Sequence, residues 1–248
     1  MLLCGLAPAV AAGPVTVGIR GGSGIPDLHD NGGNEMSAGY SSRVAPTFGG
    51  FVEYGFTPTF SVQAEFSFVG QGGRRDGLQP LLDAPGLPPG RYYANFKNTA
   101  KLNYLEIPVL AKYHFGGAQH LFVGAGPYVG FLLSAQSVTH GTSPIYTDAQ
   151  GRSPLLLPLG PGGELVPVAG DFDQTMGTKG DLNSVNWGFQ GGAGYGQEFG
   201  PGMLILDVRA SLGLTNIQRD TAANGKSSTG DLVVALAYAV RLGGSGGR

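Results

Sequence analysis

The chain predicts an all-β fold: an eight-stranded antiparallel up-and-down transmembrane β-barrel with short periplasmic turns and long external loops. Three observations carry that reading. Eight stretches alternate apolar with small or polar residues, the connections between them alternate short and long, and the polar face is too small and too poor in charge to be a solvated surface. The clearest alternation runs through residues 59–68. Phe60, Val62, Ala64, Phe66 and Phe68 share one face there, and Ser61, Gln63, Glu65 and Ser67 share the other. A side-chain period of two is the signature of a strand with two different environments.

The strands expected are residues 14–22, 47–56, 59–69, 100–115, 120–138, 185–199, 202–215 and 231–242. Thr57-Pro58, Gly116-Gly117-Ala118-Gln119 and Gly200-Pro201 close tight hairpins, as Gly and Pro turns do. The other connections, 23–46, 70–99, 139–184 and 216–230, are long and rich in Pro, Gly, Asp and Asn, and read as irregular loops. Short turns at one end and long loops at the other are the asymmetry of outer-membrane barrels.

Composition narrows the classes. Charged residues are 13% of the chain, about half the roughly 25% of ordinary soluble domains, and 45 of 248 residues are Gly, against a usual ~7%. A net charge of −2 argues against nucleic acid as a partner. The single cysteine, Cys4, excludes an internal disulfide framework and a Cys-based zinc cluster. No apolar run reaches the ~18 residues of a membrane-spanning helix, so a membrane form is a barrel. Residues 1–12, MLLCGLAPAVAA, read as a truncated signal peptide with a small-residue cleavage site at Ala9-Val10-Ala11, residues 13–243 as the barrel domain, and 244–248 as a Gly/Ser tail.

Sidedness decides function. The apolar face carries, for example, Leu204, Leu206, Val208, Ala210 and Leu212. The opposite face is mostly Gly and Ser, with Arg20, Glu53, Glu65, Glu106, Lys112, Glu198, Asp207, Arg209 and Arg241 as its charges. Four cations against five acids in a narrow lumen can satisfy one another, whereas an unpaired buried charge is costly. The expectation is therefore a luminal charge network inside and hydrocarbon outside. Tyr54, Phe56, Phe60, Tyr113, Phe115, Trp187, Tyr195 and Phe199 fall near strand ends on the apolar face, as membrane-interface aromatics do.

Chemistry is sparse. His29, His114, His120 and His140 show no metal-ligand spacing, and no metal or cofactor is expected. His140, Ser143, Asp148, Asp171 and Asp173 could furnish a rim site of hydrolase or acyltransferase type, but read more simply as solvated loop residues, so no catalytic residue is assigned. The segments YLEIPVLAKYHFG (104–116) and FVGAGPYVGFLLSA (122–135), with the early GIRGG (18–22), resemble the PorT-like outer membrane β-barrel family. That resemblance implies a small eight-stranded barrel of the bacterial outer membrane, in a family with members linked to secretion and surface-motility machinery. The reading is of a monomeric, non-enzymatic barrel with a plugged polar lumen. Its partners would be outer-membrane lipid and an envelope or secretion-system protein. The alternatives are a rim-site enzyme and a soluble lipocalin-like ligand-binding barrel.

Overall fold

The computed structural model describes residues 14–30, 33–81, 86–115 and 120–242; the signal-peptide reading of 1–12, the turn at 116–119 and the tail at 244–248 lie outside them. The strands are β1 (Val15–Gly24), β2 (Asp27–Asp30), β3 (Ala45–Gly55), β4 (Phe60–Pro80), β5 (Tyr93–His114), β6 (His120–His140), β7 (Thr142–Tyr146), β8 (Leu156–Leu157), β9 (Val166–Pro167), β10 (Ala169–Asp171), β11 (Gln174–Gly177), β12 (Val185–Phe199), β13 (Gly202–Gly213) and β14 (Ser227–Leu242). A one-turn helix, α1 (Thr221–Asn224), is capped by Asp220, whose carboxylate accepts from the Ala222 and Ala223 amides.

Pairing is antiparallel throughout and closes on itself. β1 pairs with β14 and β3, β3 with β4, β4 with β5, β5 with β6, β6 with β12, β12 with β13, and β13 with β14. Closure removes the unpaired edges that an open sheet would present. Consecutive strands of the ring pair, with the short strands set aside, so the order is a meander with one seam, β1 against β14.

Alternation follows the expected sidedness. Ile19, Phe66, Leu206, Val208, Val234 and Leu236 are all exposed, while Glu65 is fully buried and Asp207 and Arg209 nearly so. An exterior of this kind would be an extended apolar surface in water, far beyond what soluble monomers tolerate. This overturns the lipocalin-like alternative.

Two expectations need correction. There are fourteen strands among the described residues, not eight, because short strands form within the long connections. Nor are those connections irregular throughout, although stretches such as 33–44 and 147–155 belong to no named strand. The β4–β5 ladder continues without a break in pairing from Gly70↔Asn103 to Pro80↔Tyr93. β7 joins the upper end of β5, β10 joins β7, β11 joins β6, and β2 joins β14. Strands of 21 and 22 residues rise about 70 Å, more than the 9–11 residues that cross a ~30 Å hydrocarbon core require. The surplus stands above the membrane as a sheet. It is held by main-chain bonds, with Gly72 and Gly77 at φ +113° and +114°, so it needs no period-two apolar pattern and shows none. Where apolar groups are buried there, Phe96 stacks on Phe172 at 4.7 Å between ring centres.

Candidate functional site

The lumen is built in layers. Near the short turns, Phe51, Phe122, Ile205, Ala237 and Ala239 form an inward apolar cluster with Met203 packed against it. Each of three inward rings faces a glycine across a ladder: Phe51 opposite Gly18, Phe122 opposite Gly194, and Tyr128 opposite Gly188. A Cβ on any of these glycines would overlap the ring. Glycine therefore leaves the space that the aromatic fills.

Beside this cluster lies the first polar group. Lys112 Nζ donates to Glu53 Oε2 at 2.6 Å and to Gln63 Oε1 at 2.9 Å, and sits 3.9 Å from the centre of the Phe122 ring. Ser61 Oγ donates to Glu53 Oε1 at 2.7 Å, and His114 Nε2 lies 2.9 Å from the same oxygen.

The second group is a closed square of two arginines and two acids. Arg20 reaches Glu65 Oε2 at 3.1 Å and Asp207 Oδ1 at 3.2 Å. Arg209 pairs with Glu65 Oε1 and, at 2.7 Å, with Asp207 Oδ2. The Gln63 carboxamide also donates to Glu65. Every member is buried, and opposite charges alternate around the ring, the arrangement that offsets desolvation.

Above the square the acids join no ion pair among the described residues. Glu106 accepts only from carboxamides, Gln71 Nε2 at 3.3 Å and Gln190 Nε2 at 3.0 Å. Asp231, which the sequence reading missed, is buried beside it and joins Glu106 in lining a cavity of about 20 Å³, room on the scale of one water. A second apolar layer of Leu102, Tyr104, Leu132, Ala135, Leu182 and Ile217 closes the top. β6 reaches it through a bulge at Leu133, which shifts the register at Asn103/Tyr104 and turns Ala135 inward.

Of the luminal residues expected from sequence, the structure brings together Arg20, Glu65, Asp207 and Arg209, and separately Glu53 and Lys112. Glu106 lies inside without an ion pair among the described residues. Glu198 and Arg241 sit exposed at the rim, where water solvates them, and join no ion pair among the described residues. The missed inward residues, Phe51, Tyr104, Phe122, Tyr128 and Asp231, were marked by parity: each shares its strand face with a residue already read as luminal. On the outer face, Tyr54 and Phe56 meet edge to face at 4.8 Å, Tyr113 and Phe115 at 5.3 Å, and Phe60 lies opposite Tyr113. Tyr195 and Phe199 are exposed near the Gly200-Pro201 turn, and Trp187 is exposed near the outer end.

At the outer rim, His140 Nδ1 lies 3.4 Å from Asp173 Oδ1, both well exposed. Ser143 is buried instead, its hydroxyl donating to the Pro144 carbonyl and accepting from the Asn95 amide. No hydrogen bond joins Ser143 to His140. Asp148 accepts from the amides of Gln150, Arg152 and Ser153, and so shapes a turn. Desolvation raises the Asp148 carboxyl, but the backbone donors together outweigh it and hold the group below its ordinary value. Among the described residues no three His, Cys, Asp or Glu side chains are grouped to hold a metal, and no helix is long and apolar enough to cross a membrane.

Comparison with known proteins places this geometry. Residues 9–219 match the family described as Outer membrane protein beta-barrel domain. No curated protein is similar enough to the chain to count as a match. Among solved structures, the chain is similar to Ail, the attachment invasion locus protein of Yersinia pestis, at 10% identity and TM-score 0.40, covering 92% of this chain and 99% of that one. It is similar to OprG from Pseudomonas aeruginosa at 14% identity and TM-score 0.40, covering 94% and 98%. It is also similar to the outer membrane protease OmpT from Escherichia coli at 8% identity and TM-score 0.34, covering 92% and 97%. With greasy side chains turned outward around a closed antiparallel ring and the family match spanning most of its length, the chain belongs to the Outer membrane protein beta-barrel domain family and is an integral β-barrel protein of the bacterial outer membrane.

Proposed function

We propose that the eight long strands that close the ring, β1, β3, β4, β5, β6, β12, β13 and β14, are the membrane-spanning staves of a monomeric, non-enzymatic barrel within residues 13–243. Its lumen is blocked, and its working surface is the sheet that stands outside the cell. The observation that carries this reading is the filling of the lumen: an Arg–acid square between two apolar layers, beside a cavity of about 20 Å³, room on the scale of one water. Eight strands enclose an interior just wide enough for side chains, and here side chains occupy it. A path for ions would have to break the square and displace two apolar layers.

The raised sheet, built on β4, β5 and β6 and widened by β7, β10 and β11, offers a binding or docking surface. The likeness of residues 104–135 to the PorT-like family supports a partner in envelope or secretion assembly. Planar-bilayer recording of the purified, refolded protein tests the closed lumen. Conductance at background is expected; steady large pores would overturn the reading.

A further inference from the structure

Where the barrel leaves the hydrocarbon on its β5–β6–β12 side, three cations gather on the outer face. Lys101 points outward from β5, and its neighbour Leu102 points into the upper apolar layer. Lys101 pairs with Gln136 of β6, which in turn pairs with Gly177 of β11. Those three strands span about 10 Å. Two residues past Gly177 the chain folds back, and Lys179 Nζ donates to the Leu133 carbonyl at 2.9 Å. Arg219 joins from the β13–β14 connection, donating to the Gly180 carbonyl at 3.0 Å and to Ser184 Oγ at 3.4 Å.

None of the three has a carboxylate within ion-pair distance among the described residues, although Asp181 lies two residues from Lys179. Directly below them the apolar exterior begins. Leu105 and Val185 flank Phe131 in register, and Leu133 and Trp187 are exposed beside it. The cations therefore stand at the boundary between hydrocarbon and water, on the side of the long external loops. Two of them are fixed by main-chain contacts rather than swinging free.

We propose that Lys101, Lys179 and Arg219 form a binding site for the phosphate-bearing headgroup of an outer-leaflet lipid whose acyl chains lie along Leu105, Phe131, Leu133 and Val185. An anionic headgroup supplies the countercharge that the protein does not, and the apolar wall fits the chains of the same molecule. A soluble anion would use only half of the site.

Trp187 is the single tryptophan of the chain and lies on β12 three residues after Ser184, so it reports on the lipid next to the site. The test refolds the full chain into phosphatidylcholine vesicles in which the brominated component is either phosphatidylcholine or phosphatidic acid at equal mole fraction, and reads quenching of Trp187. Expected is a roughly tenfold preference for phosphatidic acid at low salt, falling at 1 M salt, where screening shortens to about 3 Å. Lys101→Gln, which removes a side chain that makes no hydrogen bond among the described residues, should cut the preference roughly fivefold, and Lys179→Gln should do likewise. Lys97→Gln, higher on β5 and 3.9 Å from Asp76, should change nothing. Heat-dependent gel mobility checks that each variant is folded. Equal quenching by the two lipids, or a loss in Lys97→Gln as large as in Lys101→Gln, would sink the proposal.

Discussion

Phe122 and Gly194 face each other across the β6–β12 ladder, and the ring fills the volume that a side chain on Gly194 would need. The same ring carries Lys112 on its face, so one glycine supports both the lower apolar layer and the cation above it. Gly194→Ala should destabilise the barrel by about 1–3 kcal/mol through overpacking, read as a lower urea midpoint in lipid vesicles. Pairing it with Phe122→Leu should recover part of the loss. If the two losses simply added, the ring and the glycine would not be sharing that space.

Glu65 and Glu106 are both buried acids, but they keep different company. Glu65 is held by Arg20 and Arg209, and Glu106 by two carboxamides. Glu65→Gln leaves two buried guanidiniums with only Asp207 between them and should cost about 3–5 kcal/mol. Glu106→Gln replaces one hydrogen-bonding group by another and should cost under about 1.5 kcal/mol. Equilibrium unfolding of both variants checks the order, and a reversed order would contradict the square as the main polar support.

The β4–β5 ladder above Gly70 should behave as folded sheet. Hydrogen exchange read by mass spectrometry should find protected amides in residues 74–79 and 94–99, although both segments lie outside the bilayer. Exchange there at the rate of free chain would mean that the raised sheet does not form.

Asp148 ties the Asp148–Ser153 turn through its amide contacts. Its carboxyl is depressed in the folded protein, so its contribution is fully present above the ordinary aspartate value of about 3.9 and is lost as pH falls through the lowered value. Proteolysis within residues 148–153 should therefore rise only in strongly acidic buffer, and Asp148→Ala should raise it at neutral pH as well. Equal cleavage of wild type and variant at neutral pH would show that the carboxylate does not hold the turn.

Period-two alternation located all eight long strands, most ends within two residues, because a strand with lipid on one face and a tight lumen on the other must alternate. It failed where that contrast ends. Above Gln71, which still reaches into the lumen to Glu106, the contrast between lipid and lumen is gone from Arg74 to Pro80, so the residues there follow no two-fold rule and the strand was legible only in the pairing. Within the lumen, parity placed Arg20, Glu65, Asp207 and Arg209 on one face, yet nothing in their spacing along the chain joins residues 20, 65, 207 and 209 into a ring.

What the sequence determined by itself was sidedness, since the choice between hydrocarbon and lumen is made residue by residue. Which acid meets which arginine, which ring rests on which glycine, and which acid goes without a cation were decided only in three dimensions. Those outcomes depend on the stagger between strands that lie far apart in the chain, and stagger is set by the closing of the whole ring.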